Sequence, residues 1–259
     1  MPRQRPAERN MDGIATDRFV AGADLPDARA LREAAGLGGS GRDLIDAVLA
    51  ADIARVRFLM ERDPALAQTS ADGRSLAEVA VATGNAMLLR EILSHGVDPD
   101  GAGDGAPLVL ALHANGPELA YVLLAEHGAA PAPAGAALEP ARAAIALGSA
   151  AGVRMLLDHG LDPNVRDTLD RRPLHVALDM ERFAIAELLL AAGADPFAID
   201  TGGANLAASL AMPMVTDVPD EAAARARLTA GLARLGWPSP APTPREVLAL
   251  AADGRWPPR

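Results

Sequence analysis

Apolar positions in this chain fall into columns that repeat about every 33 residues. In residues 167–200, DTLDRRPLHVALDMERFAIAELLLAAGADPFAID, Leu174, Ala177 and Leu178 recur at i, i+3 and i+4, placing one apolar stripe on a short helix. Pro173 opens that helix, because its missing N–H has no intrahelical partner at the first position. Ala186, Leu189, Leu190 and Gly193 predict a second short helix that ends at the glycine. Asp195-Pro196 blocks continuation, since a residue before proline avoids the helical region. The same features recur along the chain. The second-helix pair reads Leu59-Met60, Ile92-Leu93, Leu123-Leu124, Leu156-Leu157 and Leu189-Leu190, at steps of 33, 31, 33 and 33. Ala47, Ala80, Ala111, Ala144 and Ala177 form a first-helix column with the same steps. A turn column reads Asp98-Pro99, Ala130-Pro131, Asp162-Pro163 and Asp195-Pro196. Helices this short cannot bury their faces alone, so the pattern predicts an array of helix–turn–helix units that lean on one another. The alanine column predicts close helix contacts that a longer side chain would overpack.

Three stretches resemble the ankyrin-repeat family: Pro173-Leu174-His175-Val176-Ala177, Leu189-Leu190-Ala191-Ala192-Gly193-Ala194-Asp195, and the weaker Asp72-Gly73-Arg74-Ser75-Leu76. The resemblance covers residues 42–210 as five units. The family's Thr-Pro-Leu-His turn stands here as Arg172-Pro173-Leu174-His175, and becomes Ser75-Leu76-Ala77-Glu78 and Glu139-Pro140-Ala141-Arg142 elsewhere. Glu181 occupies the position where the family has glycine between the helices. The resemblance implies an all-α solenoid of stacked units, a structural role for His175, and a non-catalytic protein–protein interaction module.

The expected organisation is an N-terminal extension over 1–40, about five repeats over 41–200, and a degenerate repeat with a helical C-terminal cap over 201–259. Within the extension, residues 26–36 read as a short helix and 36–41 as a glycine hinge. Repeats follow at about 70–100, 101–133, 134–166 and 167–199. Beyond Thr201, residues 206–212 suit the first helix of a sixth unit. Residues 222–235 suit a longer helix, with Arg225, Arg227 and Arg234 facing outward. Thr243-Pro244-Arg245-Glu246 has the form of a capped helix start. Trp237 and Trp256, the two tryptophans of the chain, are expected to cover the end of the array.

Composition narrows the function. All 24 basic residues are arginine, which removes phosphate-loop, Schiff-base and kinase lysines and suits a GC-rich bacterial origin. A net charge of −10 opposes wrapping of a phosphate backbone, so nucleic acid is not an expected partner. With no cysteine, disulfides, thiolate metal sites and cysteine nucleophiles drop out. No apolar run reaches the ~20 residues of a membrane span, and no secretory signal follows either Met1 or Met11 as the start. The expectation is a cytoplasmic, monomeric protein without cofactor or metal.

Candidate chemistry is sparse. His95, His127 and His159 recur once per repeat, too far apart to share a zinc ion, and are expected to meet the last carbonyls of their helices. The glycines at 101, 103 and 105 lack the strand and lysine of a phosphate loop and read as a repeat turn. In the C-terminal segment Asp217, Asp220, Glu221, Glu246 and Asp253 are the available acids or bases, a remote basis for an enzyme. The expected function is binding of a protein partner through the concave side lined by turns and first helices. By the columns, Arg74, His113, Arg166, Arg171, Asp179 and Met180 lie on that side. A toxin-immunity protein or an exported host-directed effector would be alternative uses of the same fold.

Overall fold

The computed structural model describes residues 39–114, 116–212 and 218–257; the helix expected over 26–36 lies outside them. The chain forms two compact units, residues 1–135 and 136–259. Each is built mainly from pairs of short helices joined by turns.

The first unit contains α1 (Gly39–Leu49), α2 (Ile53–Arg62), α3 (Leu76–Ala82), α4 (Ala86–Ser94), α5 (Ala106–His113) and α6 (Pro117–Tyr121). First helices pack on first helices (α1 on α3, α3 on α5), and second on second (α2 on α4, α4 on α6). A short 3-10 turn, Pro64–Gln68, precedes a two-stranded antiparallel hairpin of β1 (Ser70–Ala71) and β2 (Arg74–Ser75), with Ser70 opposite Ser75. Of the hinge expected over 36–41, residues 36–38 lie outside the described residues, and Gly39 to Gly41 are helical. They are the first turn of α1, with Gly41 buried, so packing overrides glycine's poor helix propensity.

The second unit contains α7 (Glu139–Ala146), α8 (Ala150–Asp158), α9 (Pro173–Asp179), α10 (Phe183–Ala191), α11 (Leu206–Ala211), α12 (Pro219–Gly231) and α13 (Pro244–Ala252). Here α9 packs on α7 and α11, and α10 on α8 and α12. Leu156 and Leu189 are fully buried; burying each such side chain stabilises by about 1.5–3 kcal/mol.

The alanine column does more than fill space. Ala80, Ala111, Ala144 and Ala177 are fully buried. The carbonyls of Ala47, Ala111, Ala144 and Ala177 accept from the amides of Asp52, Gly116, Ser149 and Arg182, five residues on, at 2.8–3.0 Å. That bond closes the helix end and turns the chain into the second helix. It needs a left-handed residue just before the donor. Gly148 supplies one at φ 67°, while Ala51 (φ 55°) and Glu181 (φ 54°) adopt the same conformation with a side chain.

A π-helical turn over Val122–Glu126 follows α6. The sequence spacing gives its cause. From the first leucine-column residue to the turn-column residue is six residues in three repeats (Ile92 to Asp98, Leu156 to Asp162, Leu189 to Asp195) but seven from Leu123 to Ala130. The bond that closes the second helix runs from Leu161 to Leu156 and from Ala194 to Leu189, yet from Ala129 to Leu123. The wider turn takes up one extra residue, and Leu123 and Leu124 remain buried.

At the C-terminal end, Phe197, Trp237 and Trp256 form an aromatic cluster with ring centroids 5.2–5.8 Å apart. Both indoles also donate to backbone carbonyls, Trp237 to Pro196 and Trp256 to Phe197. Thr243 and Glu246 form the reciprocal cap expected at the start of α13. That helix sits against Gly203, where a Cβ would lie 2.6 Å from the Pro244 carbonyl oxygen and 2.9 Å from Leu248 Cγ. Of the arginines expected to face outward, Arg227 and Arg234 are exposed, whereas Arg225 is half-buried. Arg225 turns inward to the carbonyls of Leu210 and Met212 at the end of α11, and Arg227 makes a two-bond pair with Glu187 on α10. Glu221 accepts from the amide of Ala184, capping α10 from the neighbouring helix.

Candidate protein-binding surface

The loops that lead into each first helix form fingers, and their shape follows from local side-chain to backbone bonds. Asp98, Asp162 and Asp195 each accept from an amide two residues on. Asp167 accepts from Leu169 and Arg171, and Asp200 from Gly202 and Ala204. These carboxylates shape the turns by accepting backbone amides.

In the second unit the fingers 162–172 and 195–205 are laced together. Asn164 donates to the Gly193 carbonyl and accepts from the Asp195 amide. Arg172 reaches the Asp195 carboxylate at 2.9 Å. The amide of Thr201 donates to the Leu169 carbonyl, and His175 Nε2 to that of Ala204. Such lacing fixes the exposed side chains above it, which lowers the ordering cost of binding.

Four of the sequence candidates stand on this side. Arg166 is exposed and pairs with Asp170 at 3.4 Å. Arg171 pairs with Asp179, tying the finger to the C-terminal end of α9, where Met180 follows at 37% exposure. Both arginines are thus partly neutralised by aspartates on the same face. Exposed surface pairs are worth about 0–1 kcal/mol, so a partner can displace them at little cost. Leu169, at the finger tip, is an apolar side chain 54% exposed that the columns do not mark, because it lies in a loop outside every helical period.

Arg74 and His113 belong to the first unit. Arg74 stands in β2, half-buried, 3.4 Å from Glu78, whose carboxylate also accepts from the amide and hydroxyl of Ser75. His113 ends α5 and is half-buried. Beside the hairpin a hollow of about 270 Å³ is lined by Gln68, Thr69, Ser70, Ser75 and Asp98 among others.

The remaining histidines divide. His159 Nδ1 meets the Met155 carbonyl at 2.8 Å, as expected of a helix end. His95 instead pairs with the Glu91 carboxylate at 3.1 Å, which Arg57 also holds. The Arg57 guanidinium, more than His95, pulls the Glu91 carboxyl down to about 2 against the opposing effect of burial. Pairs of this kind also link α4 onward: Arg90 holds Glu126 and Glu118. No group of three His, Asp or Glu converges among the described residues in a way that could hold a metal ion. Among them, too, no helix is long and apolar enough to cross a membrane.

Residues 108–200 match the family model of ankyrin repeats (3 copies), the segment in which the alanine and leucine columns are most regular. Residues 108–200 are thus a run of ankyrin repeats. Ankyrin repeats are generally protein–protein interaction modules, and the family is typically non-catalytic. A potassium channel, KOR1 of Oryza sativa subsp. japonica, is 44% identical over 59 residues, 23% of this chain. The matched stretch spans 7% of that channel's length.

Proposed function

We infer that this chain is a non-catalytic protein-binding module, and that its second unit binds through the side formed by fingers 162–172 and 195–205 and the C-terminal end of α9. One observation carries the reading. Leu169 and Met180, both exposed apolar side chains, flank the Arg171–Asp179 pair on fingers held by backbone and carboxylate bonds. Binding energy concentrates in a few apolar or arginine anchors ringed by polar residues, and this arrangement supplies both. In the first unit Arg74 and His113 would contribute on the equivalent finger side. The carboxylates of the C-terminal segment do not favour an enzyme, since Glu221 and Glu246 serve as helix caps.

The test is capture of a protein from the source cell on the immobilised full chain, compared across surface variants. Leu169→Asp, Met180→Asp and the double change Arg166→Glu with Arg171→Glu should each weaken capture about tenfold, the effect of losing ~1.4 kcal/mol. Undiminished capture by all three, with helical content unchanged, refutes this placement.

A further inference from the structure

Among the buried polar side chains Glu78, His175 and Asn205, the first and last cap their own helices, whereas His175 joins two fingers. Its Nδ1 accepts from the amide of Arg172 at the root of finger 162–172 (3.0 Å). Its Nε2 faces the carbonyl of Ala204 at the root of finger 195–205 (3.2 Å). An amide can only donate, so Nδ1 must be bare and the single proton must sit on Nε2. The backbone thereby selects one neutral tautomer. Ala204 follows Gly203, the residue against which α13 is seated, and α13 leads directly to Trp256.

We propose that His175 is a proton-sensitive pin: neutral, it holds both finger roots and seats the C-terminal helix; protonated, it releases them. This would regulate the binding side described above and rests on that reading, although its test needs no partner. A second proton on Nδ1 would point at the Arg172 N–H, donor against donor, in a ring 3% exposed. Burial is the largest influence and pushes the His175 pKa below the usual 6.5; Asp200 and the carbonyls of Ala204 and Ala198 oppose it, and Arg172 reinforces it. Asp200 already accepts from two amides of its own finger. Of the helices packed on α9, α7 brings Glu139 and Arg142, which pair with each other. α10 brings Glu187, held by Arg227, and α11 brings no charged residue.

The direction follows from the depressed value. Above pH 6.5 the neutral pin contributes its full stability. As pH falls below 6.5, the released state takes the proton first. The balance then shifts toward release by up to about tenfold per pH unit, until the pinned ring's own pKa is reached. Both tryptophans of the chain stand in the cluster beyond α13, so intrinsic fluorescence reads the release. The full-length chain should show a reversible fluorescence transition as pH is lowered from 7.5 to 5, absent from His175→Gln. Glutamine supplies an acceptor and a donor without titrating, and the other four histidines are present in both proteins. The same transition in His175→Gln, or none in the unaltered chain, overturns the proposal. Should His175→Gln fail to fold, nitrogen-15 imidazole NMR of the unaltered chain decides. A bare Nδ1 and a pKa below 6.5 support the pin; a proton on Nδ1 at pH 7.5, or a pKa at or above 6.5, overturns it.

Discussion

Replacing Gly203 with alanine isolates the seating of α13 from the rest of the second unit. Gly203 has φ +82°, a conformation that costs a side-chain-bearing residue about 1–2 kcal/mol. The new methyl would also lie 2.6 Å from the Pro244 oxygen, 3.1 Å from its carbonyl carbon and 2.9 Å from Leu248 Cγ. Two of those atoms are backbone and cannot step aside cheaply, so overpacking adds about 1–3 kcal/mol. Alanine recovers about 0.4–1 kcal/mol by stiffening the unfolded chain, leaving a net loss of roughly 1–4.6 kcal/mol by these three effects. Gly160→Ala is the matched control. Its φ is +95° with nothing within 4 Å of the added carbon, so it carries strain alone and should lose about 1 kcal/mol or less. Urea unfolding followed by tryptophan fluorescence and by far-ultraviolet circular dichroism separates the two readouts. Gly203→Ala should move the fluorescence midpoint well below that of Gly160→Ala, while the dichroism shifts less. Equal fluorescence midpoints for the two variants would refute the close approach of α13 to the finger.

Three further outcomes are expected. Ala144→Leu, at a fully buried position, should lose about 1–3 kcal/mol in urea unfolding by overpacking; a neutral result refutes the column. Ala51→Gly should raise stability by roughly 0.5–1 kcal/mol, the gain from removing left-handed strain less the added freedom of the unfolded chain; a loss refutes the strain at φ 55°. Glu91 has a folded-state pKa of about 2 against an ordinary 4.5, so its stabilisation is complete above 4.5 and drains away as pH falls from there toward 2. Glu91→Gln should flatten the acid side of the stability–pH curve, and an unchanged slope there refutes the Arg57–Glu91 pairing.

Helix identity and stacking were legible because columns such as Ala111, Ala144 and Ala177 repeat a backbone requirement, and a repeated requirement leaves a repeated residue. What depended on side-chain reach was not. Arg225 lies four residues before Thr229 on one helix and reads as solvent-facing, yet its length lets it cap α11 instead. Residues 39–41 read as a hinge because glycine propensity is local, whereas burial against neighbouring helices is not. The side proposed for binding was legible in part. Arg166, Arg171, Asp179 and Met180 followed from the columns, but the pairing of each arginine with an aspartate, and the exposure of Leu169, depend on finger geometry that no helical period encodes.

The π-turn over Val122–Glu126 behaves like a dislocation confined to one lattice cell. An extra residue in a straight α-helix would rotate everything after it by about 100°, and in a stacked array that error would pass to every later layer. Here the surplus is absorbed within a single turn. The stretch from Ala130 to Ala144 is one residue shorter than that from Asp162 to Ala177 (14 against 15), so the leucine column still steps by 33 to Leu156. Tolerance to insertion is therefore a property of the individual layer, so that one unit of the array can change length without re-indexing its neighbours.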